Sequence, residues 1–122
     1  METEKLAAEL LHSVGMSPKY KGYTFSHFIL TLSIRDITRT YNMSALLYNA
    51  VSEHYKVSPC IVERNIRFAI KRAWEEDYTG NMHRLFNSYG INYIPTNREF
   101  ICILTDCVRH DRSVSNIQMR MW

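Results

Sequence analysis

Four residues, Lys56-Val57-Ser58-Pro59, constrain this chain more than any others. Serine is a favoured helix N-cap, because its hydroxyl accepts from a backbone N–H of the first turn. Proline suits the first helical position, where its missing N–H had no partner to lose. A helix therefore begins at Pro59. The residues before the turn, about Ser44 to Tyr55, also read as helix, with Asn42 or Met43 at its entrance. Leu46, Leu47, Ala50, Val51 and His54 form its inner face. Two helices joined by so short a link form a helix-turn-helix.

The rest of the chain reads as four further helical segments. One covers Glu4 to Val14, with Leu6, Leu10, Leu11 and Val14 in a stripe and Gly15 as its stop. A second covers Phe25 to Tyr41, with Thr24 as N-cap, and is apolar around much of its circumference, the mark of a central helix. The run from Phe28 to Ile34 also suits a strand, but the length free of Gly and Pro favours helix. The helix from Pro59 extends to Asp77 or Tyr78 and buries Val62, Ile66, Ala69, Ile70, Ala73 and Trp74. A short helix spans Asn81 to Asn87, turning Met82, Leu85 and Phe86 inward, and a loop runs from Ser88 to Pro95. Thr96-Asn97-Arg98-Glu99 is a capping box ahead of Phe100, Ile103, Leu104, Cys107 and Val108, a helix fading near His110. The tail from Asp111 to Trp122 has no clear period. The expected fold is all-α: a six-helix single domain built around a helix-turn-helix of the winged-helix-like class. Its core covers about 4–110 and its helix-turn-helix about 44–78.

Composition excludes most other classes. A chain of 122 residues that is 46% hydrophobic is expected to form one domain rather than a disordered arm. Four Gly and three Pro are too few for a turn-rich all-β chain. No apolar run is long enough to cross a membrane. The start, Met1-Glu2-Thr3-Glu4-Lys5, is no signal peptide, so the default compartment is the cytoplasm. Cys60, Cys102 and Cys107 contain no CxxC pair, and the five histidines are scattered, so no disulfide frame or metal site is expected. No nucleophile–base set and no phosphate-cradling glycine loop is visible, which argues against an enzyme and against any cofactor.

The helix from Pro59 also carries a second stripe: Cys60, Glu63, Arg64, Arg67 and Lys71. Residues 58–73 hold Arg64, Arg67, Lys71 and Arg72 against Glu63, while 75–77 are Glu-Glu-Asp. The macrodipole favours the reverse order, acids first, at up to about 1 kcal/mol per exposed charge. A solvated face with local pairs such as Lys71–Glu75 explains part of this. A recognition helix is the other reading, since its first turns meet base edges in the major groove. There Arg pairs with guanine O6 and N7, and Glu accepts from cytosine N4. Glu63, Arg64 and Arg67 are the candidate base contacts. Ser44, Lys56, Ser58, Cys60 and Lys71 are the candidate backbone contacts.

At these residues the chain resembles the C-terminal effector domain of the sporulation initiation response regulator family of Firmicutes. The resemblance is carried by L-L-H-S-V-G at 10–15, K-G-Y at 21–23 and V-E-R-N-I-R-F-A-I-K-R-A-W at 62–74. L-F at 85–86 and P-T-N-R-E-F at 95–100 complete it. It covers roughly residues 6–110. It implies a helical DNA-binding domain, specific binding to double-stranded promoter DNA, dimers on tandem sites and contact with RNA polymerase. It also implies that Glu63, Arg64 and Arg67 are contact residues.

The departures shape the expectation. The family's Ser-Arg before V-E-R is Cys60-Ile61 here, its His after I-R is Phe68, and its Lys residues stand as Ala45 and Ile94. Fewer phosphate contacts imply weaker, less salt-dependent binding than the family norm, or an altered box. Ile61 and Phe68 either meet a thymine methyl or mark a partner surface. The family's domain follows a receiver, whereas few residues precede the first helix here. The chain is therefore expected to be either an excised domain or a stand-alone paralogue, and the opening Met1 with the residues after it leans slightly to the latter. The alternative function is an interaction module that engages RNA polymerase or a full-length regulator.

Overall fold

The computed structural model describes residues 2–111. Among them are six α-helices: α1 (Glu2–Ser13), α2 (Lys21–Arg35), α3 (Asn49–Tyr55), α4 (Pro59–Glu75), α5 (Asn81–Ser88) and α6 (Asn97–Asp111). A 3-10 turn (Ile37–Asn42) and a π turn (Ser44–Tyr48) link α2 to α3. No strand occurs among the described residues, so the helix-turn-helix carries no β-wing there. The tail around Trp122 lies outside the described residues.

Local chemistry sets several boundaries where the sequence places them. Gly15, at φ +81°, ends α1: its N–H donates to the His12 carbonyl and the Met16 N–H reaches back to Leu11, both at 3.0 Å. Both halves of the Thr96–Glu99 capping box form. Glu99 Oε1 accepts from Thr96 N at 2.9 Å, and Thr96 Oγ1 accepts from Glu99 N at 3.1 Å. That backbone hydrogen bond, helped by the Tyr93 hydroxyl, holds the Glu99 carboxyl below the usual carboxylate range.

The segment from 20 to 48 departs from the expected reading. Helix α2 begins at Lys21, not Phe25, and Thr24 lies inside it rather than capping it. Gly22, a poor helix former, sits in its first turn because α2 crosses α4 there. A Cβ at Gly22 would lie 2.1 Å from the Asn65 carbonyl oxygen and 2.6 Å from Ala69 Cβ. The helix stops at Arg35, where Asp36 turns extended. The Asp36 carboxylate accepts from the Thr38 hydroxyl at 2.6 Å and the Thr38 amide at 3.1 Å, capping the 3-10 turn. Tyr41 consequently stands 71% exposed, outside the stripe expected for it. The start of the third helix is π-helical, with the Arg39 guanidinium donating to the Leu46 carbonyl. In that wider turn Leu46 points outward, as does His54 further on, while Leu47 and Val51 are fully buried.

The core is one continuous cluster. Leu10 and Leu11 of α1, Ile29 and Leu30 of α2, Ile66 and Ile70 of α4, Phe86 of α5 and Phe100 of α6 are all fully buried in it. Phe86 and Phe100 stack at 5.8 Å between ring centroids. Helix α2 touches α1, α3, α4 and α6, as its apolar circumference predicts. Trp74 is only partly buried: His83 lies over its ring at 3.8 Å, and Asp77 holds that imidazole at 2.8 Å.

Candidate nucleic-acid interface

The turn between α3 and α4 is tied by Ser52. Its carbonyl accepts from the N–H groups of Lys56 and Val57, and its hydroxyl donates to the Val57 carbonyl. This requires Lys56 to adopt φ 59° and ψ 44°, a left-handed conformation normally left to glycine. Ser58 then caps α4, its hydroxyl accepting from Ile61 N at 3.3 Å, with Pro59 at the first position. These local rules aim the first turns of α4 outward.

Val62, Ile66, Ala69, Ile70 and Ala73 form the buried face of α4. The opposite arc carries Cys60, Glu63, Arg64 and Lys71, all exposed. Among the described residues, no hydrogen bond or ion pair engages the side chain of Arg64 or Lys71. The expected Lys71–Glu75 pair is absent from these contacts. Arg72 pairs with Glu76 instead, and the Tyr20 hydroxyl and Glu76 raise its pKa.

One flank of this arc borders a hollow of about 740 Å³. Ser44, Cys60, Glu63, Arg64 and Arg67 line it together, which unites five of the residues singled out in the sequence. Lys56, Ser58 and Lys71 lie outside it. The opposite wall is the start of α6, with Thr96, Asn97 and Arg98, and the link before α3, with Tyr41, Met43 and Tyr48. Asn97 joins the walls. It is 93% buried, from 7% exposure, and its Nδ2 donates to the Glu63 carbonyl and the Tyr48 hydroxyl, both at 3.1 Å. Burial pushes the Tyr48 phenol up. Arg67 donates to the Pro95 carbonyl, so its guanidinium is held at the α6 side of the hollow.

Sequence reasoning missed Tyr41, Thr96 and Arg98. Arg98 is exposed, with Nε donating to the Thr40 carbonyl at 3.1 Å. It brings a third arginine to the hollow. The Thr96–Glu99 capping box marked the start of α6. Nothing local marked that this start abuts α4. Ile94 packs against the core, whereas Ala45 is exposed on the π turn.

Ile61 and Phe68 lie on the other flank of α4, 41% and 49% exposed. The Tyr20 ring meets Phe68 edge-on at 5.2 Å. No group of His, Cys, Asp and Glu among the described residues is arranged to hold a metal ion, and no helix among them is long and apolar enough to cross a membrane.

A capped helix fixed by a tight turn to a preceding helix is a helix-turn-helix, an arrangement that many DNA-binding domains use. Residues 7–108 match the family described as "Sporulation initiation factor Spo0A C terminal". The match covers most of the chain, which belongs to that family: it is a DNA-binding effector domain of the sporulation regulators, all-α, concerned with transcription.

Proposed function

We propose that this chain reads a specific promoter sequence by placing the first turns of α4 in the major groove. The observation that carries the reading is the arc of Glu63 and Arg64 at the exposed start of α4, flanked by a hollow holding three guanidinium groups. Arg64 donates to guanine O6 and N7, and Glu63 accepts from a cytosine amine. Arg67, tethered at Pro95, supplies a second base contact at the α6 side. Ser44, Cys60 and Arg98 around the hollow, with Lys56, Ser58 and Lys71 outside it, meet the phosphates. Pairing of two copies on tandem sites and contact with RNA polymerase belong to the same reading.

A second reading is supported by the exposed Ile61 and Phe68: an interaction module that engages RNA polymerase or a full-length regulator. Fluorescence anisotropy separates the two. Labelled duplexes carrying one or two copies of a box selected by this chain from a random library are compared with scrambled duplexes at low and near-physiological salt. A box preference that survives the higher salt supports groove reading. Equal binding to box and scramble, lost with salt, is phosphate attraction alone and sinks it.

A further inference from the structure

We infer that Ile61 is a specificity-determining residue that recognises the C5-methyl group of a thymine. Ile61 is the third residue of α4, in the turn that a recognition helix brings nearest to base edges. Its backbone is already committed: its N–H donates to the Ser58 carbonyl and hydroxyl, and its carbonyl accepts from Asn65 Nδ2 at 2.8 Å. Its side chain is not. It stands 41% exposed beside the fully buried Val62. Phe68, two turns further on the same flank, already has the Tyr20 ring against it. Helix stability gives no reason for Ile61, because a β-branched side chain is among the weaker helix formers.

The chemistry of the groove narrows what such a side chain can meet. Base edges in the major groove present hydrogen-bond donors, acceptors and one apolar group, the thymine methyl. An aliphatic side chain set over a donor or acceptor strips it of water and returns no partner, which is unfavourable. Set over the methyl, it buries apolar surface on both sides. Arg64 follows Ile61 by three residues, so the two side chains sit one helical turn apart. The thymine therefore lies beside the guanine that Arg64 reads.

This inference rests on the proposed groove reading by α4, and one experiment tells their failures apart. A preferred site is selected from a random duplex library with the full chain. Each thymine is then replaced by deoxyuridine, which removes only the methyl group, and affinities are measured for the wild type and for Ile61→Ala. One replacement is expected to weaken the wild type about fourfold, the worth of one buried methyl-sized group, and to leave Ile61→Ala unaffected. With cytosine in place of that thymine, 5-methylation is expected to restore about the same factor for the wild type alone. Methyl effects of equal size in both proteins, or none at any thymine, overturn the role of Ile61 while groove reading stands. In that case the flank passes to a protein partner. A selection that yields no preferred site overturns both. Circular dichroism melts verify that Ile61→Ala folds, as an exposed site should allow.

Discussion

The two flanks of α4 are built by opposite means. On the hollow side, the Glu63 backbone and the Arg67 guanidinium are held by distant parts of the chain. Asn97 reaches the Glu63 carbonyl across 34 residues of sequence, and Arg67 reaches the Pro95 carbonyl across 28. On the other side, Ile61 and Phe68 project from a helix seated on α2 through the close approach at Gly22. The first flank is preorganised by tertiary hydrogen bonds; the second is a plain exposed surface on a rigid support. A guanidinium tethered like that of Arg67 meets an acceptor at a set angle, whereas an aliphatic contact tolerates small shifts. The difference in construction therefore matches the difference in the chemistry each flank offers.

The sharpest way to break this comparison is to remove the arginine between the flanks. Arg64→Ala is expected to lower affinity for the preferred box by tens of fold, the worth of one bidentate base contact of about 1–3 kcal/mol. The melting temperature should stay unchanged, since Arg64 is exposed. Anisotropy titrations that show unaltered affinity reject Arg64 as a reader. Next in size is the support itself. In Gly22→Ala the new methyl must displace the Asn65 carbonyl or Ala69, so α2 and α4 separate. Overpacking of this kind costs about 1–3 kcal/mol, read as a lower urea midpoint. A neutral result would mean that the helices do not touch there.

Lys56 separates folding from binding. Its left-handed backbone is a position where glycine costs least, yet an exposed lysine occupies it. Lys56→Gly should stabilise the fold by up to about 1 kcal/mol while weakening DNA binding, because the phosphate contact proposed for Lys56 would be lost. A variant both more stable and equally tight would remove Lys56 from the interface.

What the sequence made legible follows the range of its signals. Ser58-Pro59, Gly15 and the Thr96–Glu99 box act over a few residues, and each forms as read. The arc of Cys60, Glu63, Arg64 and Lys71 follows from helical period alone. The start of α2 was hidden because its first turn contains a glycine whose reason lies on α4. Its end was hidden because Asp36 competes for the backbone where apolar spacing continues to Tyr41. The π turn and the hollow were hidden for a related reason: Arg39, Asn97 and Arg98 make contacts that no spacing rule encodes.

Arg98 gives the smallest expected effect and the most direct test of the hollow. Its guanidinium lies on the wall contributed by α6, away from the base-reading arc, and Thr40 holds its Nε. On the proposed reading it meets a phosphate from there, not a base, so its loss should act without regard to sequence. Arg98→Ala should weaken box and scrambled duplexes by the same factor and reduce the slope of log affinity against log salt by about one. The box-to-scramble ratio should not move. If that ratio falls instead, Arg98 reads sequence, and the hollow belongs with the specificity arc. If neither slope nor affinity changes, DNA does not reach the α6 wall, and Arg67, held at the same wall, loses its place among the base contacts.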